Sequence, residues 1–269
     1  MSVRRRVGGR DVLLDCSARF VAGSLTAVVA RNGAGKSVLA RVLAGVDRPD
    51  AGDVRRPARS AFFLPERPPA PPGLDASRLA RALAPRLAPP AARTGAASRV
   101  APALDALSLG GPPDAPLDQL SKGSLQKAHL AVAAALRPVL VVLDEPFSGI
   151  DADALGAALD LVRGLAAGSS VVVLTAHRPV PGVDCLALTD GRLAALEPAP
   201  PAYLLDVFPS ARAGAVLAAP LAAAGATVQA AAEGLLRARV PEPALPAVLR
   251  AALDAGLEVR RLVEDVDAW

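Results

Sequence analysis

Aromatic residues make up only 3% of this 269-residue chain: one tryptophan, one tyrosine and five phenylalanines. Leucine, valine and alanine therefore have to fill its core, and a nucleic-acid surface of interleaved aromatic and basic residues is not expected. Cysteine occurs twice, at Cys16 and Cys185, far apart in apolar, strand-like surroundings. That spacing excludes a zinc-binding cysteine set and leaves buried free thiols as the expectation, in keeping with a reducing cytoplasm. Long hydrophobic runs are missing too. The longest uncharged stretch, residues 213–232, is mostly alanine and contains Gly214, Pro220, Gly225, Thr227 and Gln229. It reads as a helix followed by a strand, not as a membrane span. The basic start, Arg4 to Arg6, runs into Asp11 and Asp15 with no apolar stretch between, so no secretory leader is expected. Charge of one sign is barely in excess, at 30 basic against 26 acidic residues. The arginine run reads as a solvated strand edge, and the small excess is a poor argument for an anionic partner.

What is present is a loop. Residues 30–38 read Ala-Arg-Asn-Gly-Ala-Gly-Lys-Ser-Val, between an apolar run at 25–29 and a helical pattern at 36–43. Strand, glycine-rich turn and helix are the context of a phosphate-gripping loop. Gly33 and Gly35 let successive N–H groups point inward, from Asn32 through Ala34 to Val38, and the helix start adds its positive end. Lys36 neutralises the outer phosphates in such a loop, and the Ser37 hydroxyl holds magnesium. Its first position, usually glycine, is Ala30, which is tolerable while its φ stays negative.

Along the chain, residues 3–7 and 12–20 read as paired strands around Gly8-Gly9, forming a small antiparallel layer. A turn at 49–53 leads to a strand at 60–64. Between Pro65 and Pro116 fall 12 of the 26 prolines, with helical patches at 76–83 and 100–109, which suggests a helical insert over about 68–137. Ser121 and Gly123 open a helix reaching Leu136. Residues 139–143 form a β-branched run typical of a strand buried on both faces, ending in Asp144-Glu145, and residues 170–175 end similarly at Ala176-His177. Carboxylates at strand C-terminal ends lie where sites form in open α/β sheets. His129 shares a helix face with Leu125, Val132 and Leu136 and reads as a packing residue. After residue 197 the pattern becomes strand 203–208, helix, strand near Val228, strand 235–240, helix and strand 257–263, a small ferredoxin-like α+β domain over 198–269.

In order, the phosphate loop, Leu120-Ser121-Lys122-Gly123, the run from Leu140 to Pro146, Ser148-Gly149-Ile150-Asp151 and His177 resemble an ABC-type ATPase. Glu145 follows Ser121 by 24 positions and His177 follows Glu145 by 32. The resemblance covers about residues 3–197 and implies a P-loop NTPase domain with ATP and Mg2+ as cofactors. Asp144 and Ser37 would then organise magnesium, with Glu66 able to touch it; Glu145 would polarise the attacking water, and His177 would contact the γ-phosphate. Ser121 and Gly123 would bind the nucleotide of a second copy in a head-to-tail dimer. Asp151 would lie at that dimer seam or serve as a helix N-cap.

Four positions depart from the family pattern. Lys122 and Ser124 replace Gly and Gln, Glu66 replaces Gln, and the aromatic that usually stacks on adenine falls near Val7. The variants at Lys122 and Glu66 look like those of bacterial exporter ATPases. The resemblance therefore implies the ATP-hydrolysing subunit of a membrane transporter, an exporter, working with a separate transmembrane permease on the cytoplasmic face of the membrane. Two other functions compete with it: a soluble ABC-type factor acting on ribosomes or DNA, and a nucleotide-sensing regulatory module without turnover.

Overall fold

A hairpin opens the chain, β1 (Val3–Val7) pairing antiparallel with β2 (Arg10–Cys16) across Gly8-Gly9. Both turn glycines have positive φ, 56° and 82°, as a tight two-residue hairpin turn requires. The second strand is shorter than its apolar pattern suggests. It stops at Cys16, because Ser17, Ala18 and Arg19 are all exposed and bring no apolar face to bury. A third partner is a single bridge, Arg4 to Ala51. Arg4 and Arg6 are exposed while Arg5 is half-buried; Arg5 pairs with Asp50 at 2.7 Å and Arg6 with Asp11 at 3.1 Å, and Arg4 donates to the Leu14 carbonyl at 3.0 Å.

The computed structural model describes residues 2–56, 61–109, 112, 114–196, 202–230 and 234–264. Ser60, expected to begin a strand, and the expected boundary at 197/198 lie outside them. The chain divides into two compact units, Met1–Leu196 and Glu197–Trp269.

In the first unit, after the hairpin, β3 (Leu25–Val29) leads to α1 (Lys36–Ala44) and β4 (Phe62–Leu64). Helices α2 (Ala76–Leu87), α3 (Pro90–Arg93) and α4 (Val100–Ala106) form the insert. Then come α5 (Lys122–Leu136), β5 (Leu140–Asp144), α6 (Ala152–Ala167), β6 (Val171–Ala176), β7 (Asp184–Thr189) and β8 (Arg192–Ala195). The proline-rich stretch is thus helical, and α2 runs past its expected end, with Pro85 in its last turn. Leu109 lies beyond α4, since the chain leaves the helix at Leu107.

Strand order in the sheet is β4-β5-β6-β3-β7-β8, parallel throughout except for β8. One face packs Ala27, Val141, Leu143, Val172 and Leu174 against α5, α6 and the insert. The other places Val28, Val142 and Val173 against α1 and the hairpin, so every residue of β5 is buried. Register then aligns the strand ends: Val29 lies opposite Ala176, and Asp144 opposite Thr175.

In the second unit, β9 (Ala202–Phe208), α7 (Ser210–Ala223), β10 (Thr227–Ala230), β11 (Leu236–Pro241), α8 (Leu245–Asp254) and β12 (Glu258–Glu264) follow one another. The antiparallel sheet order is β10-β11-β9-β12, a split β-α-β arrangement. Leu205, Val207, Ala238 and Val240 pack with Leu217 of α7 and Val248 of α8. On the opposite side of β9, Asp206 takes a bidentate pair from Arg237, at 2.6 Å for both bonds, which lowers its pKa. No helix among the described residues is long and apolar enough to cross a membrane.

Two titratable groups in the first unit give tests. Cys16 is buried, with its thiol donating to the Gly191 carbonyl, whereas Cys185 is only half-buried, so the expectation of two buried thiols holds for one. Burial pushes the Cys16 thiol up to about 11. At pH 8 a thiol reagent should label Cys185 first and Cys16 only on unfolding; equal native rates would contradict this packing. His129 is buried with Nε2 2.8 Å from the Pro69 carbonyl, tying α5 to the segment after β4, and burial lowers its pKa below the usual 6.5. A depressed pKa means that the neutral ring's stabilisation is complete above pH 6.5 and is lost as pH falls through the folded-state value. The loss of thermal stability from pH 7.5 to 5.5 should therefore be smaller in His129→Gln than in the parent; identical slopes would rule the contribution out.

Candidate active site

The loop after β3 carries the strongest local constraints. Gly35, the N-cap of α1, has φ 101°, and a Cβ there would approach the Val12 side chain to 2.6 Å, so glycine is required on both grounds. Ala30 is buried and is not among the positive-φ residues, which is why alanine is accepted at that position. Asn32 and Gly33 form the exposed turn, Ala34 and Val38 are half-buried, and the Ser37 side chain in the first turn of α1 is exposed. Lys36 is different. It is 5% exposed, and its ammonium donates to the Ala30 carbonyl at 2.9 Å and the Arg31 carbonyl at 3.4 Å.

The same ammonium lies 3.3 Å from Glu145 Oε1 and 3.0 Å from His177 Nδ1. Lysine only donates, so Nδ1 accepts, and the proton on Nε2 is directed at Glu145 Oε2, 2.6 Å away. Lys36, Glu145 and His177 thus close a three-membered ring, which compensates a buried charge that would otherwise be costly. Glu145 sits at φ 51°, in the left-handed region that a non-glycine residue occupies only at a cost. Thr175 holds it there. Its hydroxyl accepts from the Glu145 N–H at 3.0 Å and donates to Asp144 Oδ1 at 2.6 Å, fixing both carboxylate residues with one group. Thr175 was not singled out by the sequence reading, although its register opposite Asp144 follows from two parallel strands.

A second cluster forms around the start of α5. Ser121 caps it, accepting from the Ser124 N–H, and Gly123 lies so close to the Gly149 carbonyl oxygen that a Cβ would collide with it. Lys122 donates to the Ser148 hydroxyl at 3.1 Å. Asp151 does cap α6, accepting from the Ala154 N–H at 2.9 Å, and also pairs with Lys127 at 2.7 Å; the Lys127 bond, then the backbone bond, lowers its pKa. Gln126 bonds the Glu145 carbonyl at 3.4 Å, while its buried Oε1 has no hydrogen-bond partner among the described residues. Residues 145–151 therefore join the clusters, but no hydrogen bond or ion pair connects Ser121 or Gly123 to the loop at 30–38 among the described residues.

Glu66 follows β4, whose register brings it to the same end of the sheet as Glu145, yet it bonds neither Ser37 nor Asp144. No group of three His, Cys, Asp or Glu side chains suited to a metal exists among the described residues. A site there would consist of the Ser37 hydroxyl and the second oxygen of Asp144, which accepts no hydrogen bond among the described residues, with phosphate oxygens completing the shell. Such an oxygen-only, protein-poor set fits magnesium. Val7, at the hairpin tip, is 48% exposed.

Comparison with known proteins shows what the chain resembles. The sequence pattern of the ABC transporter family matches residues 13–148. The zinc import ATP-binding protein ZnuC of Paramagnetospirillum magneticum is 38% identical over 173 residues, 64% of either chain, so this chain spans less than two thirds of that relative. The cytochrome c biogenesis ATP-binding export protein CcmA of Salmonella typhi is 35% identical over 185 residues, covering 63% of this chain and 86% of the relative. A solved structure of the ATP-binding subunit of an ABC transporter shares the fold, with TM-score 0.62 at 24% identity over 72% of this chain and 86% of the other. With that pattern spanning half of its length, the chain belongs to the ABC transporter family.

Proposed function

We propose that this protein is the ATP-hydrolysing subunit of a membrane exporter, acting at the cytoplasmic face on a separate permease and working as a head-to-tail dimer with itself or a related subunit. The observation that carries the reading is the Lys36-Glu145-His177 ring. When a triphosphate enters the loop, its oxygens compete for the Lys36 ammonium and the N–H groups of residues 33–38. Glu145 then loses its cation and becomes free to orient water against the γ-phosphate, while His177 is free to bond that phosphate. Thr175 bonds the Glu145 N–H and the Asp144 carboxylate and so keeps the two residues in their separate orientations. Magnesium, held by Ser37 and Asp144, would neutralise the charge developing on the phosphates.

In the dimer, Ser121 and Gly123 of one copy would face the γ-phosphate in the other, and the Lys127-Asp151 pair would hold the seam loop to α5. Export is favoured by Glu66 and Lys122, and we assign the second unit as an accessory domain of the same subunit. The relatives named above include one import and one export protein, so direction rests on those two residues.

Removing the water-orienting carboxylate should cost about 100-fold or more in turnover, the usual scale for a general base. Magnesium-dependent phosphate release by Glu145→Gln should therefore be nearly abolished, and light scattering with ATP should show a stable dimer for the variant but not for the parent. Turnover close to that of the parent would remove Glu145 from the role. A parent that binds ATP without hydrolysing it would favour the regulatory reading.

A further inference from the structure

A cavity of about 830 Å³ opens on the α1 side of the sheet, away from the ring just described. Its accessible floor is apolar: Leu43 of α1 and Val171 of β6 are half-buried there, with Phe20, Val54 and Leu193, above the fully packed Leu39, Val42, Leu140 and Val173. Leu140 and Val171 are the first residues of β5 and β6. Asp144 and His177 belong to the opposite strand ends, so this space is separate from the phosphate loop. Its volume lies within the roughly 300–1,000 Å³ typical of small-molecule sites.

The mouth has a different chemistry. Arg19, Arg55 and Arg56 border it against one carboxylate, Asp53. Arg56 is occupied, donating to the Leu43 and Val42 carbonyls at the end of α1. Arg19 and Arg55 are exposed and form no ion pair among the described residues. Two available guanidinium groups above an aliphatic trough match a ligand with one planar anionic end and a hydrocarbon tail. Small inorganic anions would leave the floor wet. Neutral lipids would leave the arginines without a partner.

We propose that this cavity binds a free aliphatic carboxylate, its chain laid against α1 and its head held by Arg19 and Arg55. The site stands independently of any reading of the phosphate loop, because neither arginine nor any floor side chain bonds to Lys36, Glu145 or His177 among the described residues.

Calorimetry of the full chain with dodecanoate, dodecanol and acetate, each kept below its aggregation limit, tests this. Dodecanoate should bind at a single saturable site. Dodecanol should bind about tenfold or more weakly, the scale of one charge-assisted hydrogen bond, and acetate not measurably. The Arg19→Ala/Arg55→Ala variant should erase the preference for the carboxylate while still binding the tail. Val54→Trp, which fills the half-buried wall, should abolish dodecanoate binding with the melting temperature kept. Absence of saturable dodecanoate binding, or binding unaffected by both variants, would overturn the proposal.

Discussion

A buried ammonium ion has to be compensated on every side, and Lys36 is the point on which the first unit is built. Its ammonium lies within bonding distance of four acceptors, two loop carbonyls, a carboxylate and an imidazole, from three separate stretches of chain. Those stretches meet because β3, β5 and β6 run parallel in register, bringing Val29, Asp144 and Ala176 to one edge. The continuous apolar strands are therefore what make the polar cluster possible. With both faces of β5 buried, only its end is open to chemistry.

From this edge, order passes to the rest of the unit through short bonded steps. Thr175 clamps the two acidic residues, Gln126 reaches the Glu145 carbonyl, and residues 145–151 lead to Gly149 against Gly123 and Asp151 against Lys127. Each step has a strict steric or electrostatic condition: glycine at 123, a cation at 127. Glu145 is thus joined to the start of α5 through covalent and hydrogen-bonded neighbours. His129 continues this path along α5 to Pro69, beside the insert.

Much of this was legible in the sequence because the strongest signals are local. Gly33, Gly35, Lys36 and Ser37 are fixed by what a tight turn before a helix demands, and the β-branched runs at 139–143 and 170–175 identify central strands without further information. Split β-α-β order in the second unit could also be read from alternation at Leu236, Ala238 and Val240. What could not be read depends on pairing. The end of β2 at Cys16 goes with the exposure of Ser17, Ala18 and Arg19, and Thr175 matters only because parallel register sets it opposite Asp144. Asp151 was readable as a cap, but its bond to Lys127 crosses 24 residues and has no local signature.

The central claim is that Lys36 exchanges its bonds to Glu145 and His177 for bonds to phosphate. Its most direct test is calorimetric titration of MgATP into the parent and Lys36→Ala. The account predicts saturable binding by the parent and a loss of about tenfold to 100-fold in the variant, the scale of a charged hydrogen bond. Equal affinity in a folded variant would contradict it, since the ammonium would then have no part in holding the nucleotide.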